Sequence, residues 1–178
     1  IDYNKHTVKS CCCKRICAGC VYANKQREIE QGLEHKCPYC REPMPKTDEE
    51  CYKLTLNRVK KNDPVAMRQM GMMRIDGGDY QTALKHLIKA AELGDSNAHY
   101  VLSCLYREED GVEKDTQKAI YHLEEAAIGG HPDARHNLGC HEWNNGNKER
   151  AVKHWIIAAT QGFDVSIKVL MKKFKMGL

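Results

Sequence analysis

From Asp63 onward the chain repeats itself, and that repetition limits the possible folds more than any other feature of the sequence. Ala66, Ala98, Ala134 and Ser166 open equivalent stretches 32, 36 and 32 residues apart. Four residues further on stand Met70, Leu102, Leu138 and Leu170, followed in three units by a small residue, Gly71, Ser103 or Gly139. Later in each unit come Ala83, Ala119 and Ala151, then His86, His122 and His154. The alanine pairs 90–91, 126–127 and 158–159 follow, and the units close on Gly94, Gly130 and Gly162.

Spacings of four and seven place Ala83, Ala90 and their neighbours on one face of a helix, and small side chains let two helices approach closely. Each recurring glycine stands where the residue after a helix takes positive φ. The next helix opens at once, with Asp63-Pro64, Asp95-Ser96 and Pro132 supplying caps and first-turn prolines. The second unit is longer because "DGVEKD", Asp110 to Asp115, extends its internal turn. Helix–turn–helix units that bury one another predict an α-solenoid over residues 63–178, in units 63–94, 95–130, 131–162 and a partial 163–178. An aromatic content of 7% agrees with helices packed on helices rather than with sheets.

The pattern A-x-x-x-L-G, then G-V-x-x-D, then A-x-x-(aromatic)-x-x-x-A-A-x-x-G resembles the Sel1-like repeats, relatives of the tetratricopeptide repeat. The second unit, Ala98 to Gly130, matches best. Strict tetratricopeptide repeats are the competitor, and the unequal spacing and the A-A-x-x-G ending favour the Sel1-like type. The resemblance implies a concave surface that binds peptides or proteins and carries no chemistry. It also bears on His86, His122 and His154, which stand where that family carries Trp or Tyr. Packing is their expected role. Metal binding is opposed by helix axes about 8–10 Å apart, against ligand bonds of about 2 Å.

Ahead of the repeats, residues 42–62 form a junction. Pro43 and Pro45 interrupt regular structure. Thr47-Asp48-Glu49-Glu50 has the form of a capping box, and Tyr52, Leu56 and Val59 then share one face of a connecting helix ending near Asn62.

Residues 1–41 hold seven of the ten cysteines and little apolar periodicity, so a module this small needs a staple. No secretory leader is visible, which predicts reduced thiols and an intracellular setting, cytoplasm or nucleus, rather than disulfides. Cys17-x-x-Cys20 and Cys37-x-x-Cys40, separated by 16 residues, form a zinc signal, because each pair can bite one face of a tetrahedral ion. Taken alone, that spacing describes a zinc ribbon with four ligands on one metal.

The extra pair Cys11-Cys12 changes the reading. C-C-x4-C-x2-C, sixteen residues, then C-P-x-C followed by Arg resembles the latter three quarters of an all-cysteine RING finger. The resemblance implies a mostly α protein with a small zinc-stabilised RING-like domain ahead of the solenoid. It assigns Cys11, Cys12, Cys37 and Cys40 to one zinc. Cys17 and Cys20 go to a second, whose other ligands would precede Ile1, so the chain is expected to be truncated inside that domain. A degenerate single-zinc finger is the alternative. Cys13, where such fingers usually carry a small turn residue, is expected to be a bystander that could exchange with Cys11 or Cys12. His6 is the other nearby candidate and is badly spaced. Cys51, Cys104 and Cys140 fall in predicted helices as small, partly buried residues.

RING fingers have no nucleophile. The resemblance implies a ubiquitin ligase that holds a charged ubiquitin-conjugating enzyme and orders its thioester, which is catalysis by positioning. Pro38 matches part of the conjugating-enzyme surface. Arg41, directly after the last ligand, matches the residue that bridges ubiquitin and that enzyme, a task suited to a rigid guanidinium. An ordinary solvated charge is the alternative for Arg41. The repeats would then recruit a protein substrate. The competing reading of the whole is a non-catalytic scaffold with a structural zinc finger. A nucleic-acid-binding ribbon is disfavoured: residues 1–62 carry 13 Lys/Arg against 8 Asp/Glu, but each zinc held by four thiolates would carry −2, and no basic-aromatic surface is clustered. No apolar run approaches the roughly 20 residues of a membrane-spanning helix.

Overall fold

The structure is a computed structural model and describes residues 6–9, 11–12, 14–108 and 111–175. Cys13 and Asp110 lie outside the described residues, as does the side chain of His6. The protein is mostly α-helical. A two-stranded antiparallel hairpin, β1 (His6–Val8) and β2 (Arg15–Cys17), sets His6 opposite Cys17 and leads into helix α1 (Ala18–Glu30). An irregular segment then reaches α2 (Asp48–Val59). Seven helices follow: α3 (Pro64–Asp76), α4 (Tyr80–Glu92), α5 (Ser96–Arg107), α6 (Thr116–Ile128), α7 (Pro132–Asn144), α8 (Lys148–Thr160) and α9 (Asp164–Lys175). Packed in sequence as antiparallel pairs, they make the α-solenoid that the repeat predicts.

The caps explain where helices begin. Thr47 Oγ1 accepts from Glu50 N at 3.2 Å, and the Glu50 carboxylate reaches back to Lys46 N at 2.7 Å, so this capping box closes one residue ahead of the cap itself. Asp63 accepts from Val65 N and Ala66 N at α3, and Asp95 from Asn97 N and Ala98 N at α5. Asp95 also accepts from Arg68 Nε at 3.0 Å, which ties one unit to the next. Gly94, Gly130 and Gly162 take φ of 87, 83 and 84°, as helix ends of this kind require.

Close packing explains the small residue of the first helix in each unit. A Cβ on Gly71 would stand 2.7 Å from the Leu87 side chain, and one on Gly139 would stand 2.5 Å from the Trp155 ring. Ser103, their counterpart, is buried. One core cluster gathers Met67, Leu87, Leu102 and Leu105, and a second gathers Leu123, Ala134 and Leu138. The longer turn of the second unit earns its length by burying Val112, while Gly111, at φ 75°, lies flat against the Tyr80 ring.

The recurring histidines pack as expected, though each in its own surroundings. His122 stacks on Tyr106 with ring centroids 5.7 Å apart, and its Nδ1 lies 3.0 Å from Nδ1 of His99. Burial, then the charges of His99 and Lys118, hold the His122 imidazole down to about 4. Burial likewise lowers His86 and His154. Among the described residues no group of three or more metal-ligating side chains includes any of them.

Candidate metal centre

Four cysteines from two distant segments meet at the N-terminal end. The first two lie in the hairpin turn between β1 and β2, which Lys9 N to Lys14 O (3.0 Å) and Cys12 N to Lys9 O (3.2 Å) hold closed. The other two lie in the loop after α1, where Cys37 N donates to Glu42 O at 2.8 Å and Arg41 N returns to Cys37 O at 3.0 Å. Arg41 adopts φ 63°, a left-handed turn that ends this knuckle. The Sγ atoms of Cys11, Cys12, Cys37 and Cys40 all lie within 4.8 Å of one another, with Cys12–Cys37 at 3.7 Å and Cys11–Cys40 at 3.3 Å. Four Zn–S bonds of about 2.3 Å in a tetrahedron separate the sulfurs by about 3.8 Å, so the set fits a zinc ion.

The electrostatics point the same way. Burial disfavours ionisation of Cys37, but the N–H groups of Cys40 and Tyr39 and the neighbouring thiols outweigh it and bring the thiol down to about 7. Burial, then contact with the Cys40 and Cys37 sulfurs, pushes Cys11 well up; burial, against a backbone hydrogen bond that lowers it, also leaves Cys12 raised. A divalent cation held among the sulfurs would favour their ionised form.

A clasp that sequence reading missed ties α1 to the loop that carries Cys37 and Cys40. The buried carboxylate of Glu28, on α1, accepts from Asn24 Nδ2 at 2.7 Å and Lys36 N at 3.4 Å, and is bonded to His35 Nδ1. The bond to His35 holds the Glu28 carboxyl below its ordinary value. Only the odd burial of a charged residue reveals this role, and nothing in the spacing of Glu28 announces it.

Cys17 and Cys20 stay apart from the four. Cys17 caps α1, with Sγ accepting from Cys20 N at 3.3 Å, and that bond lowers its thiol while the Cys17 sulfur raises Cys20. Among the described residues no third ligand joins this pair. Cys37 and Cys40 converge with Cys11 and Cys12 and not with Cys17 and Cys20, the set that a ribbon would use. Pro38 is half-buried in the knuckle and Arg41 is exposed beside it. Cys51, Cys104 and Cys140 are half-buried in α2, α5 and α7.

The solenoid offers an apolar groove of about 310 Å³ between its first two units, lined by Met72, Ile75, Tyr80, Tyr100, Val101 and Leu105. Among the described residues no helix is long and apolar enough to cross a membrane.

Comparison with known proteins places the repeats. The Sel1 repeat family model matches residues 64–95, 96–131 and 132–163, leaving the cysteine module outside the match. A solved Sel1 repeat protein from Oxalobacter formigenes is 26% identical with a TM-score of 0.67, over 88% of this chain and 63% of that one. The structure of c5321, a protective antigen of uropathogenic Escherichia coli strains displaying an SLR fold, is 21% identical with a TM-score of 0.62, over 83% of this chain and 31% of that one. The chain therefore spans less than two thirds of either relative, and the second likeness speaks for the fold alone. No curated protein matches it. With three consecutive repeats matched over more than half its length, the chain belongs to the Sel1 repeat family.

Proposed function

We propose that this protein is an interaction scaffold in two parts: a Sel1-repeat solenoid that docks a protein partner, and an N-terminal module folded around a zinc ion held by Cys11, Cys12, Cys37 and Cys40. The convergence of those four sulfurs from segments more than twenty residues apart carries the reading. Four thiolates leave no open position on the metal, so the ion would serve structure rather than catalysis. The apolar groove between the first two repeat units supports a docking role, since apolar side chains in a concavity are what a protein or peptide ligand covers. The test is metal content: the purified chain is expected to carry zinc at Cys11, Cys12, Cys37 and Cys40 and to lose that equivalent on Cys37→Ser. A chain that retains the same zinc after that substitution, or that holds none, overturns the proposal.

A second reading, RING-type ubiquitin ligase, is favoured by the exposed Arg41 immediately after Cys40 and by Pro38 in the same knuckle. In this reading Pro38 forms part of the surface for a ubiquitin-conjugating enzyme. The Arg41 guanidinium bridges that enzyme to its ubiquitin and restrains the thioester for attack by a lysine of a substrate held on the repeats. No side chain of this protein would bond to ubiquitin covalently. The check is discharge of ubiquitin from charged conjugating enzymes, with Arg41→Ala compared to wild type. A rate lowered about tenfold or more, equivalent to about 1.4 kcal/mol of lost transition-state stabilisation, is the expected outcome. Equal rates, or no discharge with any conjugating enzyme, leave only the scaffold.

A further inference from the structure

The repeat sets two cysteines at the same station on successive first helices. Cys104 on α5 and Cys140 on α7 each stand six residues after the opening alanine of their unit, Ala98 or Ala134. Each has a neighbour four residues back on the same helix face. For Cys104 that neighbour is Tyr100; for Cys140 it is His136. Only the second pair joins a thiol to an imidazole, the donor types that zinc takes. Cys140 is half-buried rather than enclosed, and its Sγ lies 3.6 Å from His136 Nε2. A tetrahedral ion with bonds of about 2.3 Å to sulfur and about 2.0–2.1 Å to nitrogen separates those atoms by about 3.5–3.6 Å. The two side chains therefore already stand at the bite of a chelate.

The His136 ring is held in place from outside its own helix. Its Nδ1 bonds Ser166 Oγ on α9 at 2.8 Å, and Ser166 is fully buried. The ring also packs against Phe163, with centroids 5.2 Å apart, and against Trp155, at 6.5 Å. With the Nδ1 proton donated to Ser166, Nε2 turns its lone pair towards Cys140. A polar partner on the far nitrogen is the arrangement that orients metal-ligating histidines. Burial lowers His136, against the pull of Asp133, and so favours the neutral imidazole that a metal requires.

We propose that Cys140 and His136 chelate a divalent ion of the zinc type, with the thiolate and Nε2 as the two protein ligands and water at the remaining positions. Binding exchanges the Cys140 S–H proton for the ion and releases that proton to solvent. A mixed sulfur and nitrogen pair selects Zn²⁺, Co²⁺ or Ni²⁺ over Mg²⁺ and Ca²⁺, which take oxygen. Two protein ligands and open water positions make this an exchangeable site, unlike a closed set of four sulfurs. It shares no residue with the N-terminal module and stands or falls apart from the zinc proposed there.

The tryptophans supply a local readout, because Trp155 packs against His136 and Trp143 lies on the same helix as both ligands. Co²⁺, whose unpaired electrons quench a nearby indole, is titrated into the whole chain after excess metal has been removed, and tryptophan emission is followed. Quenching is expected to saturate at one site and to be reversed by Zn²⁺ but not by Mg²⁺. Cys140→Ser, which is close to isosteric, should move the midpoint to Co²⁺ concentrations about tenfold higher or beyond, and His136→Gln should do the same. Cys104→Ser should leave the midpoint unchanged. Circular dichroism without added metal separates a fold defect in His136→Gln from a lost ligand; where that variant unfolds, Cys140→Ser decides alone. No quenching, quenching that Zn²⁺ does not reverse, or quenching indifferent to Cys140→Ser overturns the proposal. So does an equal loss on Cys104→Ser, which would trace the effect to thiols in general.

Discussion

Ahead of α2, Ile16 and Cys37 are the apolar side chains that become buried among the described residues, whereas from α3 to α8 buried alanines, leucines and methionines recur at every turn. Full burial of one large apolar side chain is worth about 1.5–3 kcal/mol. Ordering a residue costs about 1–2 kcal/mol in backbone entropy alone. The solenoid can meet that cost by packing, because each helix pair buries its neighbours. The cysteine module has little to bury; the Glu28–His35 clasp supplies part of its order, and under the zinc proposal the metal supplies the rest. The solenoid specifies its structure through many weak, repeated contacts; under the zinc proposal the cysteine module specifies its own through a few ligand atoms.

The experiment that separates the two regions most sharply is Cys37→Ser, or chelation of the wild type. Apparent binding energies of about 10–16 kcal/mol per structural zinc in finger peptides exceed what so small a core can replace. Amides of residues 14–45 are expected to lose hydrogen-exchange protection completely, while α4 to α8 keep theirs and the solenoid's melting temperature moves by less than about 2 °C. Protection that survives in the metal-free module would mean that packing and the Glu28 clasp suffice. Protection lost throughout would mean that the two regions fold as one.

Legibility differs between the regions for the same reason. The repeat is written many times, so the helix pairs, the Asp63 and Asp95 caps and the glycine helix ends could all be read from spacing. The need for Gly71 and Gly139 also shows as a recurring small residue, although the clash partner, Leu87 or Trp155, appears only in three dimensions. Cysteine spacing alone marks a different set, Cys17 and Cys20 with Cys37 and Cys40; only the RING resemblance groups Cys11 and Cys12 with Cys37 and Cys40, whose sulfurs are the ones that converge. The features that stayed hidden occur once and depend on tertiary contact: Glu28 with His35, His99 against His122, and Cys140 Sγ 3.6 Å from Nε2 of His136. A single-copy contact leaves no periodic trace.

Within the solenoid, close packing can be tested at one atom. Gly139→Ala would put a methyl group 2.5–2.6 Å from the Trp155 indole, which is pinned by its own hydrogen bond from Nε1 to His136 O at 3.2 Å. The backbone must move, at a cost of about 1–3 kcal/mol. Gly71→Ala meets mainly the Leu87 side chain, at 2.7–2.9 Å, with the Ala83 carbonyl oxygen at 3.3 Å; Leu87 can rotate, so a smaller loss is expected. Thermal melts of the two variants should rank in that order. The reverse order would show that the third unit adapts more readily than the rigid Trp155 contact implies.

The smallest effect concerns pH, and it too separates the regions. His122 is held down to about 4 in the fold by burial, then by His99 and Lys118, against about 6.5 in an unfolded chain. Between those values the unfolded state binds the extra proton, so the contribution of His122 to stability is intact above about 6.5. It falls as pH drops towards 4 and changes no further below that. The chain's two tryptophans, Trp143 and Trp155, both lie in the solenoid, so their fluorescence reports its unfolding without signal from the cysteine module. Melting followed this way should fall between pH 7 and pH 5 in the wild type. His122→Phe, which keeps an aromatic ring against Tyr106, should flatten the slope; His86, His136 and His154, all lowered by burial first, supply what slope remains. An unchanged slope would place the acid sensitivity of the solenoid on those three histidines and relieve the His99–His122 contact of any part in it.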